Sequence, residues 1–319
     1  MGEIAFGLAL LFQGMAGMND GGNLVAPSVG ARSMTFPWAL AVAAVAMVAG
    51  PLVFGTHVAA TIARSLVTFP RATTETGLTG ALSGTIASVV LATWRRVPTS
   101  MSVALVGGLV GSALALGSVV HFLAVARVLL GLVLALVVGF ILGDLSFRLW
   151  KRLGERLDRD RGERLMRLQV GALFLQGLAY GSNDAEKALG LLVWILAVSP
   201  AATDHVPLPI LLLSSAVWIV GTLIGGVRLA ASVGYRVFRM RSLHAIAVQS
   251  SASITVIAAA LGGNPVSTTQ TIDSSLLGVG AADRPRAVRW LVVRDMLQAL
   301  VVAGPLAAAL SFVATRLLI

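Results

Sequence analysis

The 319-residue chain contains no cysteine. Thiol redox chemistry, disulfides and cysteine-based zinc or iron–sulfur sites are therefore excluded. Charge is scarce too: Asp, Glu, Lys and Arg make up 12% of the residues, about half the share usual in a soluble domain. That is too little to give a chain of this size a hydrated surface. The four histidines (His57, His121, His205 and His244) lack the spacing of metal ligands, so neither a metal site nor a cofactor is expected. No nucleophile–base arrangement stands out, and the chain is not expected to be an enzyme.

What is present is apolar. Hydrophobic residues make up 57% and the mean hydropathy is +0.89. The composition is that of an integral protein of the lipid bilayer, with no soluble domain of useful size beside the membrane part. All but two of the 24 basic residues are arginine and the net charge is +10. In so apolar a chain this excess reads as charge on cytoplasmic loops, and no nucleic-acid partner is expected. Glu3 stands where a secretory leader would carry a basic residue, so the first apolar run is expected to be a membrane segment and not a cleaved leader.

Apolar stretches fall at roughly 4–29, 37–62, 77–94, 99–120, 121–146, 170–198, 207–227, 243–262, 265–281 and 290–318. A span needs about 20 residues, so an all-α polytopic membrane protein of about ten segments is expected. The one long charged run, Arg148 to Arg167, lies near the midpoint and reads as a solvated loop. It divides the chain into residues 1–147, 148–168 and 169–319.

The two outer parts resemble each other. Asn19-Asp20 recurs as Asn183-Asp184, offset by 164, and Gly55-Thr56 as Gly221-Thr222, offset by 166. Pro98, Ser100 and Gly111 recur as Pro265, Ser267 and Gly278, each offset by 167. Landmarks in order at nearly constant offset imply an internal duplication. With five segments in each half, an odd number, the second copy must be inverted in the membrane. Placing the central loop in the cytoplasm puts nineteen basic residues inside and four outside, which agrees with the positive-inside rule and leaves both termini outside. Segments 99–120 and 265–281 could instead be re-entrant hairpins.

Polar groups at membrane depth mark function by default. One pair of motifs is Gly17-Met-Asn-Asp-Gly-Gly-Asn23 and Gly181-Ser-Asn-Asp-Ala-Glu-Lys187. Asn, Asp and Gly all weaken a helix, so both segments are expected to break there and offer free helix ends to ions. The other pair is Pro98-Thr-Ser-Met-Ser102 and Pro265-Val-Ser-Thr-Thr-Gln270. Proline opens a helical piece whose first-turn amides are free, and with the hydroxyls they form a donor cradle suited to an oxyanion. Asp20 and Asp184 would repel that anion, so they are expected to hold a cation or share a proton. Lys187 is placed either to pair with Asp184 or Glu186 or to touch the anion.

At these residues the chain resembles the PiT family of inorganic phosphate transporters. Gly181–Gly190, Asn264-Pro-Val-Ser-Thr-Thr269, Leu277-Gly-Val-Gly280 and Ala287-Val-Arg-Trp290 look like the second half of that family. Gly17–Asn23 with Ser28-Val-Gly-Ala-Arg32 is similar to its first-half signature. The resemblance implies a secondary carrier of inverted repeats in the cell membrane, moving phosphate with Na⁺ or H⁺, in some members as a metal–phosphate complex. One branch moves sulfate; an uncoupled anion channel is the alternative from another class.

Carried over by position, the resemblance implies that Asp20, Asn183, Asp184, Ser267, Thr268 and Thr269 line the substrate and cation sites. Asn19, Asn23, Ser100 and Ser102 would be the first-half contributors. Three positions depart from the pattern: Met101 replaces a hydroxyl residue, Gln270 stands where His is usual, and Asp273 adds a carboxylate that could take part in coupling. The number of subunits stays open, a homodimer being compatible with all of this.

Overall fold

The computed structural model describes residues 2–95, 97–155, 161–196, 206–226 and 240–319. Arg96, His205, part of the central charged run (156–160) and most of the Arg228–Arg241 cluster (227–239) lie outside the described residues.

Among the described residues there are twelve α-helices and one short ribbon. The helices are α1 (Gly2–Gly30), α2 (Phe36–Phe54), α3 (His57–Ala60), α4 (Thr74–Trp94), α5 (Met101–Ala115) and α6 (Phe122–Glu155), then α7 (Arg161–Tyr180), α8 (Glu186–Ile195), α9 (Leu208–Gly221), α10 (Ser242–Leu261), α11 (Thr268–Asp283) and α12 (Leu291–Leu317). Each apolar stretch of the sequence holds a helix. Among the described residues six helices are long and apolar enough to cross a membrane: α2, α4, α6, α9 with its extension to Gly226, α10 and α12. The ribbon pairs β1 (Val67–Thr68) antiparallel with β2 (Val119–Val120).

At 15 and 16 residues, α5 and α11 extend about 22–24 Å at 1.5 Å per residue. That falls short of the roughly 30 Å hydrocarbon core. Both start at the hydroxyl turns noted in the sequence. Ser100 is the N-cap of α5 and accepts from the Val103 amide, while Ser267 is the extended N-cap of α11.

The expected helix breaks do not occur at the Asn-Asp motifs. α1 runs unbroken through Asn19-Asp20, and Gly181–Ala185 is one π-helical turn joining α7 to α8. Packing explains why. A Cβ on Gly17 would overlap the Trp218 carbonyl of α9, and one on Gly21 the Thr222 side chain. A Cβ on Gly181 would overlap the Met47 carbonyl of α2. These glycines let backbones approach closely, and the tertiary contact overrides their low helix propensity.

The contacts of the two halves exchange roles. α1 packs on α9 as α7 packs on α2, and α5 on α12 as α11 on α6. Gly111 of α5 lies against the Ala308 carbonyl of α12, and Gly278 of α11 against the Phe140 carbonyl of α6. The Gly55–Gly221 correspondence is corrected by the same test. Gly55 ends α2 with φ +80°, whereas Gly221 lies inside a helix against the Gly14 carbonyl. Its counterpart in packing is Gly50, which lies against the Leu178 carbonyl.

Candidate functional site

The first-turn hydroxyls of α11 bond α1 and the Gly181–Ala185 turn in the protein interior, and that of Ser102 in α5 bonds the Val266 carbonyl just before α11. Asp20, on α1, accepts a hydrogen bond from the Thr269 hydroxyl at 2.6 Å and from Asn19 Nδ2 at 2.9 Å. Asn23, one helical turn on, donates from Nδ2 to Thr269 Oγ1 at 2.9 Å. The two halves therefore meet directly at Thr269.

Asp184, in the π-turn, occupies the matching place. It accepts from the Thr268 hydroxyl at 2.5 Å and pairs with Lys187 Nζ at 2.5 Å. Lys187 also donates to the Val266 carbonyl at 2.7 Å, which accepts from Ser102 of the first half at 2.9 Å. Asn183 fixes the turn from behind, donating to the Asn264 carbonyl (3.1 Å) and accepting from the Val266 amide (3.2 Å). Asp20, Asp184 and Lys187 are each no more than 6% exposed. Charges this deeply buried require partners, and here they have them.

All eleven residues expected to bind substrate lie in or beside one buried cluster. The Thr268 and Thr269 hydroxyls of α11 donate to Asp184 and Asp20, so hydroxyls and carboxylates are in direct contact. Of the readings for Lys187, pairing with Asp184 is the one observed. Ser100 is turned to cap its own helix.

A cavity of roughly 480 Å³ reaches this cluster. Its wall includes the buried Asn23, Gln270 and Asp273, the half-buried Asn19, Pro98, Thr269 and Asp295, and the exposed Thr93 and Arg294. Gln270 donates to the Met296 carbonyl of α12 at 3.2 Å. A separate recess of roughly 520 Å³ at the ends of α1, α10 and α11 is lined by Arg32, Arg241 and Arg284.

Two features had no signal in the single sequence beyond polar residues in apolar runs. Glu186 turns away from Lys187, and its Oε2 accepts from the Val58 and Ala59 amides at 2.8 and 3.2 Å, so it caps the start of α3. Gln169 and Gln249 both donate to the Ser28 hydroxyl (3.1 and 3.0 Å), which joins α7, α10 and α1 in a buried network. Among the described residues no three His, Asp or Glu side chains gather as metal ligands.

A helical multi-pass membrane protein whose halves share a buried cluster of carboxylates and hydroxyls is the class these features define. Comparison with known proteins supplies the family. The model of the phosphate transporter family matches residues 16–311, and the chain belongs to that family. It is 31% identical to a probable low-affinity inorganic phosphate transporter of Rhizobium meliloti, over 95% of this chain and 92% of that one. It is 28% identical to one of Bacillus subtilis, over 96% and 93%. Its fold matches a solved structure named "The sodium-dependent phosphate transporter" with a TM-score of 0.87, at 21% identity, covering 99% of this chain and 98% of that one. The family resemblance read from the sequence is borne out.

Proposed function

We propose that the chain carries inorganic phosphate across the cell membrane as a secondary carrier driven by Na⁺ or H⁺. The observation that carries this reading is the pair of bonds from one hairpin, Thr269 to Asp20 and Thr268 to Asp184, which ties the carboxylates of both halves to the hydroxyls best suited to an oxyanion. The names of the sequence relatives supply the anion, and that of the structural relative favours sodium.

The arrangement implies an order of events. While Asp20 holds the Thr269 hydroxyl, that donor is unavailable to phosphate, and the carboxylate repels the anion. A cation arriving at Asp20 offsets the charge and frees the hydroxyl to donate to a phosphate oxygen. Ser267, Thr268, Ser100, Ser102, Asn19, Asn23 and Asn183 supply neighbouring donors, with Lys187 as the fixed positive charge. Asp273, on the cavity wall, offers a second place for a proton. Only the fully loaded or the empty site then lets the halves rock, which couples the two flows.

Residues 1–147 and 169–319 act as inverted repeats in this reading, each with a re-entrant hairpin (α4–α5 and α10–α11), and the charged 148–168 segment is cytoplasmic. The exchanged packing of the halves supports it. So does the charge count: with three crossings per half, again odd, every arginine and lysine counted keeps its side except Arg95 and Arg96, which fall in the sequence between the helices of the first hairpin. Arg294, exposed on the cavity wall, then lies on the cytoplasmic side, and the cavity opens inward in this reading.

Proteoliposome uptake of labelled phosphate, with Na⁺ and pH gradients imposed separately, tests the proposal. Concentrative uptake that collapses when one gradient is removed is expected, and repeating it with Mg²⁺ reads whether the anion travels as a metal complex. Competition by sulfate and not phosphate would make the protein a sulfate permease. Flux that follows only the electrochemical gradient of the anion would make it a channel.

A further inference from the structure

The two carboxylates of the site are not equivalent in charge. Among the described residues the hydrogen-bond partners of Asp20 are neutral donors, the Thr269 hydroxyl and the Asn19 amide. Asp184 is met by an ammonium. The positions correspond by the offset of 164, so that Asn23 stands on α1 where Lys187 stands after the π-turn. Asn23 is 2% exposed, and its Oδ1 has no hydrogen-bond partner among the described residues. An acceptor oxygen left over beside a carboxylate and a hydroxyl oxygen is an oxygen set that suits a hard cation. In the second half the equivalent position is filled by Lys187 Nζ, held by the Asp184 carboxylate and the Val266 carbonyl. Those ligands are also hard oxygens, and the charge they hold is likewise +1.

We propose that the Lys187 ammonium is a resident cation in the place of a mobile co-ion, so that the second half is neutralised permanently and only Asp20 recruits an ion from solution. Lys187 thereby sets how many charges cross per phosphate. The inference rests on the carrier reading above and deepens it. It follows that replacing the lysine with an uncharged side chain of similar reach reopens a cation site at Asp184. A lysine kept only for stability would alter the protein's lifetime when replaced, but not its stoichiometry.

The test uses the full chain in proteoliposomes with Na⁺ as the probe cation. Equilibrium accumulation of labelled phosphate is measured against an imposed membrane potential for wild type, Lys187→Gln and Lys187→Arg. One additional mobile charge in Lys187→Gln raises the accumulation ratio about 50-fold per 100 mV beyond wild type, while Lys187→Arg keeps the wild-type slope. Equal slopes for wild type and Lys187→Gln would overturn the proposal.

Binding is read in parallel on detergent-purified protein. Lys187→Gln should gain a Na⁺-dependent rise in melting temperature larger than that of wild type, and this stands even where the variant transports poorly. A variant that neither transports nor responds more strongly to Na⁺ would also overturn it. If wild type accumulates no phosphate, the carrier reading fails, and the Na⁺ comparison still decides the role of Lys187.

Discussion

The bond between Glu186 and α3 allows a quantitative prediction. Its carboxylate, 1% exposed, accepts two amides from the first turn of a helix, where the backbone dipole also favours a negative charge. Hydrogen bonds to a charged group contribute about 1.5–3 kcal/mol each, and neutral ones about 0.5–1.5 kcal/mol. At a pH high enough to ionise Glu186, Glu186→Gln keeps the shape but exchanges charged for neutral bonds, and the comparison below is made at that pH. The closed arrangement of α3 on α8 should lose about 2 kcal/mol, a shift of roughly 30-fold toward the arrangement in which they part. Because the chain has no cysteine, Ala59→Cys provides a single thiol at a buried position. Its labelling rate in membranes, measured where opening limits reaction, should rise about 30-fold in the Glu186→Gln background. An unchanged rate would refute the view that this carboxylate holds α3 in place.

Other outcomes follow from the same geometry. Gly181→Ala places a methyl group on the Met47 carbonyl and should cost about 1–3 kcal/mol, visible as a lower melting temperature. Gly171→Ala, with nothing within 4 Å of the added carbon, should leave stability unchanged or raise it by up to about 1 kcal/mol. Asp184→Asn, which strips Lys187 of its counter-charge, should abolish coupled uptake while the protein still inserts; wild-type uptake would remove Asp184 from the mechanism. Ser267→Ala with Thr268→Val should raise the half-saturation for phosphate more than that for the cation, and an unchanged phosphate value would count against the hydroxyl cradle.

The sequence revealed the helices because a membrane segment must be continuously apolar. It revealed the Asn-Asp and hydroxyl motifs because polar residues at that depth are costly and these occur twice at matched positions. Misreadings share one cause: a glycine serves two physical ends that look identical in a string of letters. Gly17 and Gly181 suggested broken helices, yet they are there for close backbone approach. Gly55 and Gly221 looked equivalent, yet one supplies a positive φ and the other a crossing point. The Thr269–Asp20 bond joins residues 249 apart, and the capping role of Glu186 spans 128. No local pattern encodes such pairings; only the exchange of contacts between the halves brings them together.

The central claim is that phosphate binds where the starts of α5 and α11 meet the carboxylates of both halves. A cryo-electron-microscopic map of the full chain with phosphate and Na⁺ tests it most directly. Density for a tetrahedral anion within hydrogen-bond reach of Ser267 and Thr269 is predicted. Density confined to the arginine recess at Arg32, Arg241 and Arg284, with none at the hydroxyl turns, would contradict the account.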